Sequence, residues 1–85
     1  MKLLKFEADW CGPCREMGRR LEKFNDCEVV KINVDDEENQ DIVSKYGIRN
    51  IPVIILLDDD ENIVKKWVGL TKIEDIQAEI AKKIS

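Results

Sequence analysis

Residues 3–8 alternate cleanly: Leu4, Phe6 and Ala8 fall on one face, Leu3, Lys5 and Glu7 on the other. That period predicts a β-strand buried on at least one side. The period then changes. Cys14, Met17, Leu21 and Phe24 recur at helical spacing, with Arg15, Arg19, Arg20 and Lys23 on the opposite face, which predicts an amphipathic helix over Gly12 to Phe24. Gly18 sits inside it at a cost of about 1 kcal/mol relative to Ala; a close approach of helix to sheet would account for it, as would chance. Asn25-Asp26 breaks the helix, and Cys27 to Val34 alternates again as a second strand. A second helix fits Glu38 to Tyr46, with Gly47 as its C-terminal cap. Val53 to Leu57 is an unbroken apolar run, which predicts a strand covered on both faces.

The acidic segment Asp58–Asn62 reads as a solvated turn into a fourth strand, Ile63 to Val68, forming an antiparallel hairpin with the third. Thr71-Lys72-Ile73-Glu74 reads as a capping box opening a last helix, whose buried stripe is Ile73, Ile76, Ile80 and Ile84. The order is β-α-β-α-β-β-α. Helical crossovers predict three parallel strands, a fourth turned back, and helices on both faces of a four-stranded mixed sheet. The fold class is α/β, in one domain spanning residues 1–85.

Composition narrows the function. The 85 residues are 44% hydrophobic and 38% charged, enough for one small core. The net charge of −4, with lysines and acids interspersed, argues against a nucleic-acid footprint. No apolar run is long enough to span a membrane. Charge appears too early at the N-terminus for a signal peptide, so a cytoplasmic protein is expected.

Chemistry concentrates in Trp10-Cys11-Gly12-Pro13-Cys14, between the first strand and the first helix. A C-x-x-C in such a setting reads as a dithiol/disulfide redox pair. Two intervening residues at a helix start bring two Cα atoms within the roughly 4.4–6.8 Å that a disulfide needs. Cys11 lies at the helix N-terminus, where unpaired N–H groups and the dipole favour a thiolate; Cys14 shares the apolar stripe. Cys11 is therefore expected to face solvent and attack, and Cys14 to face the core and resolve. Pro13 suits the first helical turn and Gly12 a tight turn that another chain can approach. Trp10 offers a flat apolar surface beside the nucleophile. The plainer readings are a structural disulfide and half of a zinc site. The first would restrain little of the unfolded chain. The second lacks ligands, since there is no His and only one further Cys, Cys27, which reads as a small buried apolar group. No bound metal is expected.

These residues resemble the thioredoxin family over nearly the whole chain. Trp10 to Cys14 is similar to its active-site signature, Lys45-Tyr46-Gly47-Ile48-Arg49 with Ile51-Pro52 to the segment before its cis-proline, and Val68-Gly69 to its glycine turn beside the site. The resemblance implies a thioredoxin-like fold, a cis Ile51–Pro52 bond, and substrate chains pairing with the Ile51 backbone like an added strand. The substrate-binding surface would comprise Trp10, Gly12, Pro13, Ile51, Pro52 and Gly69. The family's first strand and helix have no counterpart, and in length the chain is closer to a glutaredoxin. Where the family carries a buried acid six positions before the first Cys, this chain has Lys5. A cation there would favour thiolate and lower the Cys11 pKa, while a buried neutral Lys could accept a proton. Glu7 could pair with Lys5 or replace the missing acid. The plain alternative is that Lys5 reaches solvent. Lys31 matches a family lysine near that acid.

The resemblance implies a thiol–disulfide oxidoreductase, here a protein disulfide reductase with no bound cofactor. Its partners would be disulfide-containing proteins and a flavin-dependent, NADPH-linked thioredoxin-reductase-like enzyme; the protein would act as a monomer, without nucleic acid or membrane. Two alternatives remain: a glutaredoxin-like reductase fed by glutathione, favoured by size but not by Asn50-Ile51-Pro52 or Val68-Gly69, and a non-enzymatic thioredoxin-fold subunit that binds another protein.

Overall fold

The computed structural model describes residues 1–84; Ser85 lies outside the described residues. The elements are β1 (Lys2–Glu7), α1 (Gly12–Leu21), β2 (Glu28–Asn33), a 3₁₀ turn (Glu37–Asn39), α2 (Gln40–Lys45), β3 (Val53–Leu57), β4 (Ile63–Val68) and α3 (Ile73–Ile84). They form one four-stranded mixed sheet in the order β2-β1-β3-β4.

The strand directions correct one expectation. β1 and β2 are parallel, from Lys2 opposite Glu28 to Glu7 opposite Asn33. β3 runs antiparallel to β1, from Lys2 opposite Leu57 to Phe6 opposite Val53, so only two strands run together. β4 is antiparallel to β3, as the short acidic turn requires. The second connection has nearly as many residues as the first, but its helix is shorter. A strand of six residues spans about 20 Å. α2 has six residues and rises only about 9 Å, so it does not span the sheet as a crossover helix would. The segment crosses the end of the sheet instead and re-enters from the end it left.

Each face has its own core. Leu3, Ile54 and Leu56 pack under α1 and α3, through Met17, Leu21, Ile76 and Ile80. Leu4, Phe6, Ile32, Val53, Ile55 and Leu57 pack on the other face, where Ile42, Val43 and Tyr46 of α2 cover them. Helices thus lie on both faces. β1 and β3 are the central strands, and every residue of β3 is buried, as its apolar run predicts. The edge strands β2 and β4 keep Lys31, Lys65 and Lys66 exposed, which discourages edge-to-edge pairing.

Helix ends depart from the sequence pattern where backbone bonding decides. α1 ends at Leu21 rather than Phe24, because the Glu22 and Phe24 N–H groups bond back only three residues, to Arg19 and Leu21. Gly47 closes α2 as expected: at φ 61° it lets its own N–H reach the Ser44 carbonyl and that of Ile48 the Val43 carbonyl. The capping box does not form. The Thr71 hydroxyl donates to the Gly69 carbonyl at 3.1 Å, and α3 starts at Ile73 with the Lys72 carbonyl accepting its first bonds.

Candidate active site

β1 delivers the chain to the carboxyl end of the sheet, where Ala8, Cys11 and Cys14 form a small buried cluster with Val34 and Ile51 against it. Cys11 and Cys14 are joined as a disulfide with their Cα atoms 5.2 Å apart. Cys11 is the N-cap of α1, and its Sγ accepts the Cys14 backbone N–H at 3.1 Å. Pro13 occupies the first turn, where no N–H is needed.

Exposure does not separate the two sulfurs. Cys14 is 2% exposed, as expected, but Cys11 is only 4% exposed. The loop before β3 closes over it: Cys11 Sγ stands 3.9 Å from the Ile51 carbonyl oxygen. The asymmetry lies in their neighbours. Cys11 meets a helix-end N–H and the edge of the Ile51 backbone, whereas Cys14 lines a cleft with Lys5 and Glu7.

The Ile51–Pro52 bond is cis, and the Pro52 carbonyl accepts the Gly69 N–H at 2.8 Å, with Gly69 at φ 88°. Ile51 thus borders Cys11, and Gly69 is tied to Pro52, the residue next to it. Gly12 and Pro13 are exposed beside it. Trp10 is 68% exposed, and its indole N–H donates to Asp35 at 2.8 Å. Sequence reasoning misses Asp35. The available signal is the parallel pairing of β1 and β2, whose ends run together through Val34 N–H to the Glu7 carbonyl at 2.9 Å, so residues just past β2 flank the dithiol loop.

Lys5 does not reach solvent: it is 3% exposed and ion-paired with Glu7 on the same face of β1. Lys31 lies beside Lys5 in the ladder but is exposed on the edge strand. Cys27 is free and half-buried, and burial pushes its thiol pKa up, the opposite of what a reactive thiol needs. Among the described residues no cluster of three or more His, Cys, Asp or Glu is placed to hold a metal. Among them also, no helix is long and apolar enough to cross a membrane.

The thioredoxin family model matches residues 1–82. A thioredoxin of Alicyclobacillus acidocaldarius is 39% identical over 93% of this chain and 77% of its own length. One of Bacillus subtilis is 37% identical over 96% of this chain and 81% of its own. Among solved structures, a mutant thioredoxin from Halobacterium salinarum superposes with a TM-score of 0.81 at 38% identity, over 95% of this chain and 72% of that one. Trichomonas vaginalis thioredoxin superposes at 0.76 and 30% identity, over 96% and 78%. The chain belongs to the thioredoxin family and is a thiol–disulfide oxidoreductase that reduces protein disulfides through the Cys11–Cys14 pair.

Proposed function

We propose that Cys11 is the attacking thiolate and Cys14 the resolving thiol of a single-domain, monomeric dithiol reductase. The observation that carries this reading is the Cys14 N–H aimed at Cys11 Sγ from the first turn of α1. In the reduced protein that donor and the helix dipole stabilise negative charge on Cys11, the setting in which thiol pKa values fall to roughly 3.5–7.5. Cys11 attacks a substrate sulfur and forms a mixed disulfide. Cys14 then attacks Cys11, the substrate leaves as a thiol, and the pair closes. The substrate strand docks along the Ile51 backbone, between Trp10, Gly12 and Pro13 on one side and Pro52 and Gly69 on the other.

Electrons reach the disulfide from a flavin-dependent, NADPH-linked reductase, and the protein itself holds no cofactor. Gly12-Pro13 between the cysteines supports this reading over a glutathione-fed one. A cytoplasmic setting is supported by Cys27, a free thiol of the kind a reducing compartment maintains. The test follows NADPH oxidation with insulin as substrate. One reaction contains a thioredoxin-reductase-type enzyme, the other glutathione with glutathione reductase. Turnover in the first alone is expected; turnover only with glutathione overturns the assignment of the electron donor.

A further inference from the structure

Arg20 falls on the polar face of α1, where the sequence pattern assigns it only solvent. Its side chain is instead two-thirds buried and crosses to the turn between β4 and α3, where Nη1 donates to the Thr71 carbonyl at 3.1 Å. Its Nε donates to Glu16 Oε2 at 3.3 Å, one helical turn back on α1. Glu16 also accepts from Arg19, and the hydrogen bonds from Arg19 and Arg20 hold its carboxyl below the ordinary carboxylate range. Glu16 therefore stays charged and fixes the direction in which Arg20 points. The contacts continue inward. Thr71 is buried and donates its hydroxyl to the Gly69 carbonyl at 3.1 Å. The Gly69 N–H donates to the Pro52 carbonyl, next to the Ile51 that borders Cys11. A chain of hydrogen bonds thus runs from α1 through the turn to the cis-proline loop.

The turn has little else to hold it. Val68 and Leu70, on either side of Gly69, are 59% and 49% exposed, so apolar burial contributes little to its order. A guanidinium on a backbone carbonyl is a charge-assisted bond, stronger than a neutral one. The exposed ion pair with Glu16 adds little to stability by itself, which leaves orientation as what the arrangement provides. The helix that anchors it matters too. α1 has Cys11 as its N-cap and Cys14 in its first turn, so a tether from α1 sets the turn relative to the two sulfurs. We propose that Arg20 is a positioning residue for substrate binding. It ties the Gly69–Thr71 turn to the helix that carries the dithiol and so holds one side of the substrate-docking surface in register with Cys11. This role rests on the reading of Gly69 as part of that surface.

Two readouts on Arg20→Met test it, since methionine keeps an apolar stem and removes the donors. The first is amide hydrogen exchange by NMR. The Gly69 N–H should exchange about threefold or more faster, while the Ile54 and Ile55 amides of β3 keep their rates. The second is single turnover. Full-length protein, reduced and freed of reductant, is mixed with excess insulin or cystine, acid-quenched, and its remaining thiols counted. The insulin concentration for half-maximal rate should rise about threefold or more, with the limiting rate and the rate with cystine nearly unchanged. Arg20→Lys keeps a cation and a donor for Thr71, and should recover most of both effects. Unchanged exchange with unchanged insulin kinetics overturns the role of Arg20. Faster Gly69 exchange with unchanged insulin kinetics overturns the proposal by a different route: the tether exists, and the docking reading of the turn fails. Weaker insulin binding with unchanged exchange also overturns it, because Arg20 would then meet the substrate directly. Equal losses with insulin and cystine would trace the effect to the dithiol and contradict a positioning role.

Discussion

The Gly69 N–H donates to the Pro52 carbonyl at 2.8 Å, tying the turn after β4 to the loop whose Ile51 borders Cys11. Gly69 reaches that position at φ 88°, a backbone region that costs an L-residue about 1–2 kcal/mol. Gly69→Ala should therefore lower stability by about that amount in urea unfolding. If that loop belongs to the proposed docking surface and not to the dithiol, the variant should also raise KM for insulin more than it lowers kcat.

Trp10 and Asp35 form an exposed pair, so neither contributes much to folding. Trp10→Ala and Asp35→Ala should each shift stability by no more than about 0.5 kcal/mol. Both should weaken turnover of a protein disulfide several-fold while leaving reduction of a small disulfide such as cystine nearly unchanged. Equal losses on both substrates would place Trp10 in the chemistry rather than in docking.

Gly18 and Lys5 should be energetically coupled. Gly18→Ala gains about 1 kcal/mol of helix propensity but sets a Cβ 3.3 Å from Lys5 Nζ. In a Lys5→Met background that ammonium is gone and the propensity gain should be recovered. A double-mutant cycle by urea unfolding should give a coupling of about 0.5 kcal/mol or more. Additive effects would mean that the helix shifts freely away from the strand.

Asp58 sets part of the acid limit of stability. Its carboxylate accepts the Asn62 and Asp60 N–H groups and faces Lys83 at 3.8 Å, and these contacts, the Asn62 bond foremost, hold its pKa below the ordinary 3.8. Arg19 and Arg20 do the same for Glu16. A carboxylate depressed in the folded state contributes stability that is complete above the unfolded pKa and lost as pH falls through the folded one. The thermal midpoint should thus be flat above about pH 5 and fall below it. Asp58→Asn/Glu16→Gln should make that fall shallower; an unchanged acid limb would show that other carboxylates govern it.

Much of this was legible in the chain because local pattern and tertiary structure agree. The alternation at Leu3–Ala8, the apolar Val53–Leu57 and the stripe through Cys14, Met17 and Leu21 all fall where the period puts them. The direction of β3 was not legible, because a helical pattern between strands signals a crossover whatever its length. What decides is the reach of α2 against the sheet, and that emerges only once the helix proves to be six residues long. Thr71 misled for a related reason: its hydroxyl has a competing acceptor, the Gly69 carbonyl, supplied by a turn outside the motif. Ile84 fits the apolar stripe of α3 but is 75% exposed, as the last residue of that helix. At the site, the helix-capping position of Cys11 followed from spacing alone, whereas its burial under Ile51 depends on a loop forty residues away.

The unequal roles of the two sulfurs are tested most directly by trapping. Cys14→Ser and Cys11→Ser proteins, each reduced, would be mixed with insulin and resolved on a non-reducing gel, with the linked cysteine identified by mass spectrometry. With Cys11 as the attacking thiolate, Cys14→Ser forms a stable mixed disulfide through Cys11 and Cys11→Ser forms almost none. A stable complex through Cys14 in the Cys11→Ser protein, with none in Cys14→Ser, would contradict the account.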